Sequence, residues 1–483
     1  MSVPDTTAAS DAPAGAPAGA PAAPDTLWST IVDALRGSQH DYTTGPIPRA
    51  ILMLAIPMVL EMALESVFAV SDVFFVSRVG PDAVATVGLT EALLALIYAV
   101  DAGMSMGAAA TVARRVGERD PEGAARAAVQ AVWLGLGASV LFGVIGLVFA
   151  PTFLSLMGAP PGVMANVGYT RIMLGCSGTI VMLFLLNAIF RGAGDAAIAM
   201  RVLWFANAIN ILLGPCLIFG LGPFPRMGVL GAATATTIGR GCGALYAFTR
   251  LARSTDRIPI RRVRLTPDLK IMGGVLRLSG SAALQTLIGT ASWIGVVRIV
   301  SLFGSEALAG YTIAFRMIVF AILPSWGISN AAATMVGQAL GAQKPDRAAR
   351  AVWLTGWYDC AVLSVAGLVF VVFARPLVGL FTSVPTVLTT GAACLRIVAV
   401  GFPFYAFGMV VTQAFNGAGD TWTPTLINLV VFWIWEIPLA YVLAVPLGRG
   451  PNGVFFAMMI AFSSLAVVSA LIFRRGKWQT VRV

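Results

Sequence analysis

About twelve stretches of this chain stay apolar for roughly twenty residues or more, and that pattern leaves few folds open to it. They lie near 50–77, 84–113, 124–150, 164–189, 197–221, 229–252, 270–302, 307–337, 349–374, 387–415, 423–446 and 452–474. A run of this kind in hydrocarbon must satisfy its own backbone hydrogen bonds, so each one reads as a membrane-spanning helix. Composition agrees. Charged residues make up 11 % and apolar residues 58 % of the 483, against about 25 % charged in an ordinary soluble protein. A soluble enzyme, a disordered scaffold and a nucleic-acid-binding protein are all excluded on that ground. The net charge of +10 does not reverse this, because the basic residues sit in the loops between apolar runs.

The chemistry is narrowed further by what is scarce. One histidine, His40, lies in a polar N-terminal stretch, so histidine-based metal sites and triads have no material. Cys176, Cys216, Cys242, Cys360 and Cys394 all fall inside apolar segments with no Cys-x-x-Cys pair, and read as small buried hydrophobes. No metal site and no cofactor are expected.

Residues 1–24, rich in Ala, Pro and Gly, are expected to be disordered. Leu27, Trp28, Ile31, Val32 and Leu35 then follow helical spacing, and Gly37 can end that helix. The helix is amphipathic and suited to a membrane surface. Lys and Arg set the orientation. The loops after spans two, six and eight and the C-terminus carry Arg114, Arg115, Arg119, Arg126, seven basic residues from Arg250 to Lys270, Lys344, Arg347, Arg350, Arg474, Arg475, Lys477 and Arg482. The opposite loops hold little beyond Arg78, Arg226, Arg375 and Arg449. Both termini are therefore expected in the cytoplasm, with the spans in the inner (plasma) membrane.

The chain also repeats itself. Phe190-Arg-Gly-Ala-Gly-Asp195 matches Phe415-Asn-Gly-Ala-Gly-Asp420, an offset of 225. Gly117, Pro121 and Ala124-Ala-Arg-Ala127 match Gly341, Pro345 and Ala348-Ala-Arg-Ala351 at 224, as Gly80 matches Gly304. The offset covers six spans, an even number, so the halves are parallel repeats about an axis along the membrane normal. The expected fold is an all-α integral membrane protein with two six-helix bundles around a central cavity. Residues 1–47 form a tail, 48–252 the first bundle, 253–269 a linker, 270–474 the second bundle and 475–483 the C-terminus. Such a duplication favours a carrier. No G-x-x-x-x-G-K-[ST] loop is present, so an ion gradient must drive any transport.

Carboxylates in hydrocarbon mark function by default. Glu61, Glu65 and Asp72 share one helical face, since four and eleven residues leave about 40° and 20° of net rotation, and should line a cavity near Pro57. Asp72 reads as the ion-coupling acid. Glu61, Glu65 and Asp101 are candidate substrate contacts, and Glu436 is a secondary candidate. The alternative is structural pairing of the stripe with Arg171 or another buried base. Asp359 reads as structurally paired. Asp195 and Asp420, after the Gly-Ala-Gly turns, suit helix N-caps better than a phosphate cradle. Met53, Met58, Met62, Met104 and Met106 read as packing, with an adaptable drug pocket as the alternative.

The ordered signatures resemble the multidrug and toxic compound extrusion family. They are Gly80-Pro-Asp-Ala-Val-Ala85, Val336-Gly-Gln-Ala-Leu-Gly341 with Arg347-Ala348, and Gly417-Ala-Gly-Asp-Thr421 with Pro424. The likeness runs from about 48 to 474 and is similar to the DinF-like branch, whose span-one proline and aspartate fifteen residues on match Pro57 and Asp72. The resemblance implies a hinge at Pro57 and an N-lobe polar pocket of Tyr169, Asn187, Asn210 and Thr236. It departs from the pattern where Gly214 replaces a second acid of span five. Span seven has no acid between Leu278 and Ser301, and Tyr405 stands at the span-ten acid position. A C-lobe sodium site is thus in doubt.

The resemblance implies a carrier, not an enzyme, that exports cationic or amphipathic small molecules by antiport with protons or sodium. It would work as a monomer in the bilayer, with no nucleic-acid partner. The first rival is a lipid-linked oligosaccharide flippase of the same superfamily, which would need a cationic cavity. The second is an integral-membrane transferase, which would need an acidic metal-binding loop pair or an intramembrane histidine.

Overall fold

The computed structural model describes residues 27–37, 40–254 and 257–481. The stretch 1–24 lies outside them. The amphipathic segment forms α1 (Leu27–Arg36), ended by Gly37 at φ +73°. It does not stand apart from the bundle. Asp33 pairs with Arg49 at 3.1 Å, and Arg201 donates to the Leu35 carbonyl at 2.7 Å.

The first bundle contains α2 (Ile47–Ser77), α3 (Pro81–Gly117), α4 (Pro121–Leu156), α5 (Pro161–Ala165), α6 (Val167–Gly175), α7 (Gly178–Gly192), α8 (Ala196–Phe219) and α9 (Val229–Ala252). The second contains α10 (Leu269–Val300), α11 (Ser305–Gly341), α12 (Pro345–Gly379), α13 (Pro385–Val400), α14 (Phe402–Ala418), α15 (Trp422–Asn428), a π-helical segment Leu429–Glu436, α16 (Ile437–Ala444) and α17 (Pro451–Arg474). Several begin with proline in the first turn (Pro81, Pro121, Pro345, Pro385, Pro451), where the missing N–H has no helical partner to lose. Asp195 and Asp420 cap α8 and α15 as expected, accepting from the Ile198 and Thr423 amides at 3.3 and 3.1 Å.

Among the described residues ten helical spans are long and apolar enough to cross a bilayer, and α13 with α14, bent by 54°, makes an eleventh. The bend sits at Gly401, where Pro403 cannot complete the helical hydrogen-bond ladder. The remaining expected span, α9, is 24 residues long but is interrupted by threonine, glycine and Arg240. Each lobe has its own core. The first packs Val87, Val112, Leu183, Ile189 and Val202, and the second Val300, Leu363, Val398, Phe402 and Phe415. A third cluster, with Ala34, Tyr42, Leu54, Met58, Ile328 and Met335, joins α1, the 40–46 segment, α2 and α11.

The lobes meet chiefly through α3 on α10 and α2 on α11. Helices in lipid gain little from hydrophobicity alone and associate through small residues that permit close approach. Here that occurs at the end of the bundle bearing both termini. A Cβ on Gly117 would run into the Gln338 carbonyl, one on Gly341 into the Arg114 carbonyl, and one on Gly103 into the Ser279 carbonyl. Toward the other end, Gly88 of α3 and Gly289 of α10 meet open space. The cleft is closed at the termini end and splayed at the opposite end.

A strap, residues 40–46, crosses the closed end. Arg347 of the second lobe donates to the carbonyls of Tyr42, Gly45 and Thr44 at 3.0, 2.8 and 2.7 Å, and Lys344 to that of Thr43 at 2.9 Å. From the first lobe, Arg257 donates to the His40 carbonyl at 2.5 Å, and the Tyr42 hydroxyl donates to the Gly194 carbonyl at 3.1 Å. Burial pushes the Tyr42 phenol up to about 12, so it remains a donor throughout the neutral range.

Candidate functional site

One long helix carries three of the acids into the first lobe: α2 runs through Pro57 with no break in its helical backbone. Glu61 is fully buried. It accepts from Arg191 of α7 at 2.7 Å and from Asn187 at 3.5 Å. Glu65 accepts from Asn207 of α8 at 3.0 Å and pairs with Arg240 of α9 at 3.6 Å. Arg240 is 6 % exposed, donates to the Tyr98 hydroxyl at 2.7 Å, and lies over the rings of Phe68, Tyr98 and Phe184. Arg171, the partner considered from sequence, is exposed.

Asp72 differs from its two neighbours. It is half-buried and has no ion pair among the described residues. The charges that act on it are Glu91 of α3 and Arg240. Tyr169, buried at 3 % exposure, is within its electrostatic reach. Asn210 instead donates to the Thr236 hydroxyl at 2.8 Å, and Asn187 belongs to Glu61. The expected polar pocket is thus two layers: Glu61 and Glu65 clamped by arginines, and Asp72 with Tyr169 above them. Asp101 is buried with one carboxylate oxygen lacking a donor, and Arg191 and Arg240 are the charges acting on it. Five carboxyls (Glu61, Glu65, Asp72, Glu91, Asp101) face three guanidinium groups, Arg191 and Arg240 of the first lobe and Arg316 of α11, which acts on Glu91.

Between the lobes lies a cavity of about 60 Å³. Its lining comes in pairs related by the internal repeat: Met106 with Asn330 and Ala109 with Ala333 at 224 residues, Ala188 with Gln413 and Arg191 with Asn416 at 225. The cavity therefore sits on the axis relating the halves. The charge is not paired, since Arg191 faces an amide.

Among the described residues, two buried acids of the second lobe, Glu436 and Asp359, have no basic group acting on them. Glu436 ends the π-helical segment and is buried, with Tyr311 and Tyr405 in its electrostatic reach. π-Helical turns concentrate at functional positions. Asp359 bonds to the Ser325 hydroxyl and not to a basic group, which corrects the ion pairing its position suggests. Among the methionines, Met53, Met58 and Met104 are buried packing residues and Met106 lines the cavity. Of the cysteines expected to be buried, Cys394 is; Cys216, Cys242 and Cys360 are partly exposed and Cys176 is exposed, and all five are free.

Sequence reasoning overlooked Arg240, Asn207, Tyr98 and Glu91. Arg240 could have been found by the rule applied to the acids, as the one basic residue between Val229 and Thr249.

The chain was compared with known proteins. The family model MatE matches twice, over residues 57–216 and 280–442, once in each half. A probable multidrug resistance protein NorM of Thermotoga maritima is 26 % identical over 439 residues, 90 % of this chain and 93 % of that one. Its counterpart in Caulobacter vibrioides is 27 % identical, over 89 % and 92 % of the two chains. Among solved structures, an outward-facing multidrug resistance MATE family transporter of the MOP superfamily superposes with a TM-score of 0.85 at 26 % identity, covering 91 % of this chain and 98 % of that one. A MOP superfamily transporter from Pyrococcus furiosus, whose reverse pocket polarity is described as suggesting a different function, gives 0.83 at 25 %, covering 93 % and 99 %.

Proposed function

The chain belongs to the MatE family, and on that premise we propose that it is a secondary active multidrug exporter, driven by antiport with protons or sodium. Its substrates are organic cations and amphipathic small molecules. It acts as a carrier and not as an enzyme, in the inner membrane, with the basic loops and both termini in the cytoplasm.

The observation that carries this reading is the charge of the first-lobe pocket. Glu61 and Glu65 are already neutralised by Arg191 and Arg240. Asp72, on the same face of α2 and at the splayed end of the cleft, has no such partner. A deprotonated Asp72 attracts a cation. Its occupation by a proton or sodium ion removes that attraction and releases substrate to the open side. Pro57 lacks the N–H that would bond to the Met53 carbonyl, so α2 can bend there at low cost as the pocket discharges. Closure of the splayed end and opening of the termini end then reset the carrier. A flippase for a pyrophosphate-linked lipid needs the opposite polarity, and five carboxyls against three arginines oppose it.

The test uses proteoliposomes loaded with a fluorescent organic cation under a proton or a sodium gradient, comparing the native chain with Asp72→Asn. Gradient-driven efflux that is lost in the variant, with the protein still inserted, supports the mechanism. Full efflux by the variant removes Asp72 from it, and no efflux under either gradient removes the antiport reading.

A further inference from the structure

Two opposite charges that the Asp72 mechanism does not use stand on either side of the cleft. α3 and α11 are equivalent helices of the two halves, each 37 residues long, and both run from the splayed end to the termini end. Glu91 is the eleventh residue of α3 and Arg316 the twelfth of α11, so they stand at the same height to within about 1.5 Å. They also share a face with the inter-lobe cavity. Glu91 lies eighteen residues from Ala109 and Arg316 eighteen from Thr334, five whole turns in each case, and Ala109 and Thr334 both line that cavity. Each helix therefore carries its charge on the stripe that faces the other lobe, roughly 27 Å beyond the cavity toward the splayed end. Both residues are exposed. Among the described residues neither has a hydrogen bond or an ion pair. Arg316 is the charge that acts on Glu91.

A charge can stay unpaired in an open, wet cleft, but taking it out of water without a partner is costly. The lobes touch at the termini end and part toward the other, so closing the splayed end brings these two stripes together and expels the water between them. A guanidinium presents a planar fork of donors that matches a carboxylate. Arg316 is not among the charges acting on Asp72, which are Glu91 and Arg240, so Glu91 is the acid it meets first. We propose that Glu91 and Arg316 form a latch, pairing across the cleft when the splayed end closes and holding that end shut while the termini end opens. The latch rests on the carrier reading, because only a carrier must close this end, but not on Asp72 as the coupling acid. It also explains a basic residue in a cleft whose other charges suit cations: in the closed form Arg316 is neutralised by its partner.

The test has two arms, both on the full-length chain with its five cysteines replaced. In the first, Glu91→Cys/Arg316→Cys is oxidised in membranes with copper phenanthroline. A disulfide should form, although the two positions are unpaired in the splayed structure, and it should form faster than in Asp72→Cys/Arg316→Cys. No disulfide, or a preference for position 72, overturns the proposal. In the second, spin labels at Ala85 of α3 and Ala309 of α11, both exposed near the splayed end, report the closed fraction in proteoliposomes. Glu91→Gln and Arg316→Gln should each lower the ratio of closed to open forms by about fivefold or more, and the swapped pair Glu91→Arg/Arg316→Glu should restore it. An unchanged ratio in the single variants, a swap no better than either of them, or a chain without a closed population overturns the latch. Neither arm reads cargo or a gradient, so a failed latch leaves the Asp72 mechanism standing, and failed efflux leaves the latch standing.

Discussion

Replacing Arg347 by alanine removes three hydrogen bonds in one step, all to backbone carbonyls of the strap, at 3.0, 2.8 and 2.7 Å. Hydrogen bonds from a charged donor are worth about 1.5–3 kcal/mol each when protected from water. Arg347 is half-exposed, so the three together should contribute about 2–4 kcal/mol to the closed termini end. That corresponds to a change of roughly 30- to 900-fold in the ratio of closed to open forms. Because the strap is also held by Arg257 and Tyr42 to the first lobe, losing Arg347 unties one lobe from the other without touching the pocket. The assay is double electron–electron resonance between spin labels at Glu122 of α4 and Asp346 of α12, both exposed at the termini end, in a background with the five cysteines replaced. The native chain should give one short distance. Arg347→Ala should add a longer population, and Arg347→Ala/Lys344→Ala should enlarge it. Identical distributions in all three would refute the strap as a lock.

Four further outcomes are expected. Glu61→Ala should destabilise the protein by about 3–5 kcal/mol because it strands Arg191, while Glu61→Ala/Arg191→Ala should cost less, and thermal unfolding in detergent separates the two. Gly117→Val and Gly341→Val, whose new side chains would meet carbonyls across the seam, should shift the same spin-label distances toward the open form, whereas Gly88→Val, which meets open space, should not. Burial raises the Asp41 carboxyl, but hydrogen bonds from Thr43 and the charges of Arg119 and Lys344 outweigh it and hold it below its ordinary value of 3.8. Its contribution to the strap is therefore complete above that value and is lost as pH falls through the lower, folded one. A spin label at Thr44 should then gain mobility only in acid, or at neutral pH in Asp41→Asn. Finally, Asp72→Asn should abolish gradient-driven efflux of an organic cation, read as dye release from proteoliposomes.

Much of the architecture was legible because it is periodic. Apolar runs, the 224–225 offset and the N-caps at Asp195 and Asp420 each depend on residues near one another in sequence or on the repeat itself. The pairing of the acids was not legible. Glu61 and Arg191 are separated by 130 positions, and which arginine an acid meets is decided by how α2, α7 and α9 lean together. Arg171 was a fair guess by apolar context and wrong by helix face. Pro57 removes one hydrogen bond from α2, yet the helix, packed on α8 and α11, is continuous through it. The strap was invisible for another reason: its anchors are backbone carbonyls, which every residue has.

The glycine seam at the termini end also bears on leakage. A water molecule needs a space of at least about 10–15 Å³ with polar partners; carbonyls lie directly against the Cα atoms of Gly117 and Gly341 where the helices touch, and a polar pocket lined by Asp41, Gly117, Arg257 and Gln338 opens beside that contact. Where the helices touch and no file of waters passes between them, protons have no relay along which to hop. An exporter that runs on an ion gradient, worth about 2.3 kcal/mol per charge for each 100 mV, would thus not short-circuit its own supply while it waits, open to the other side, for cargo to leave.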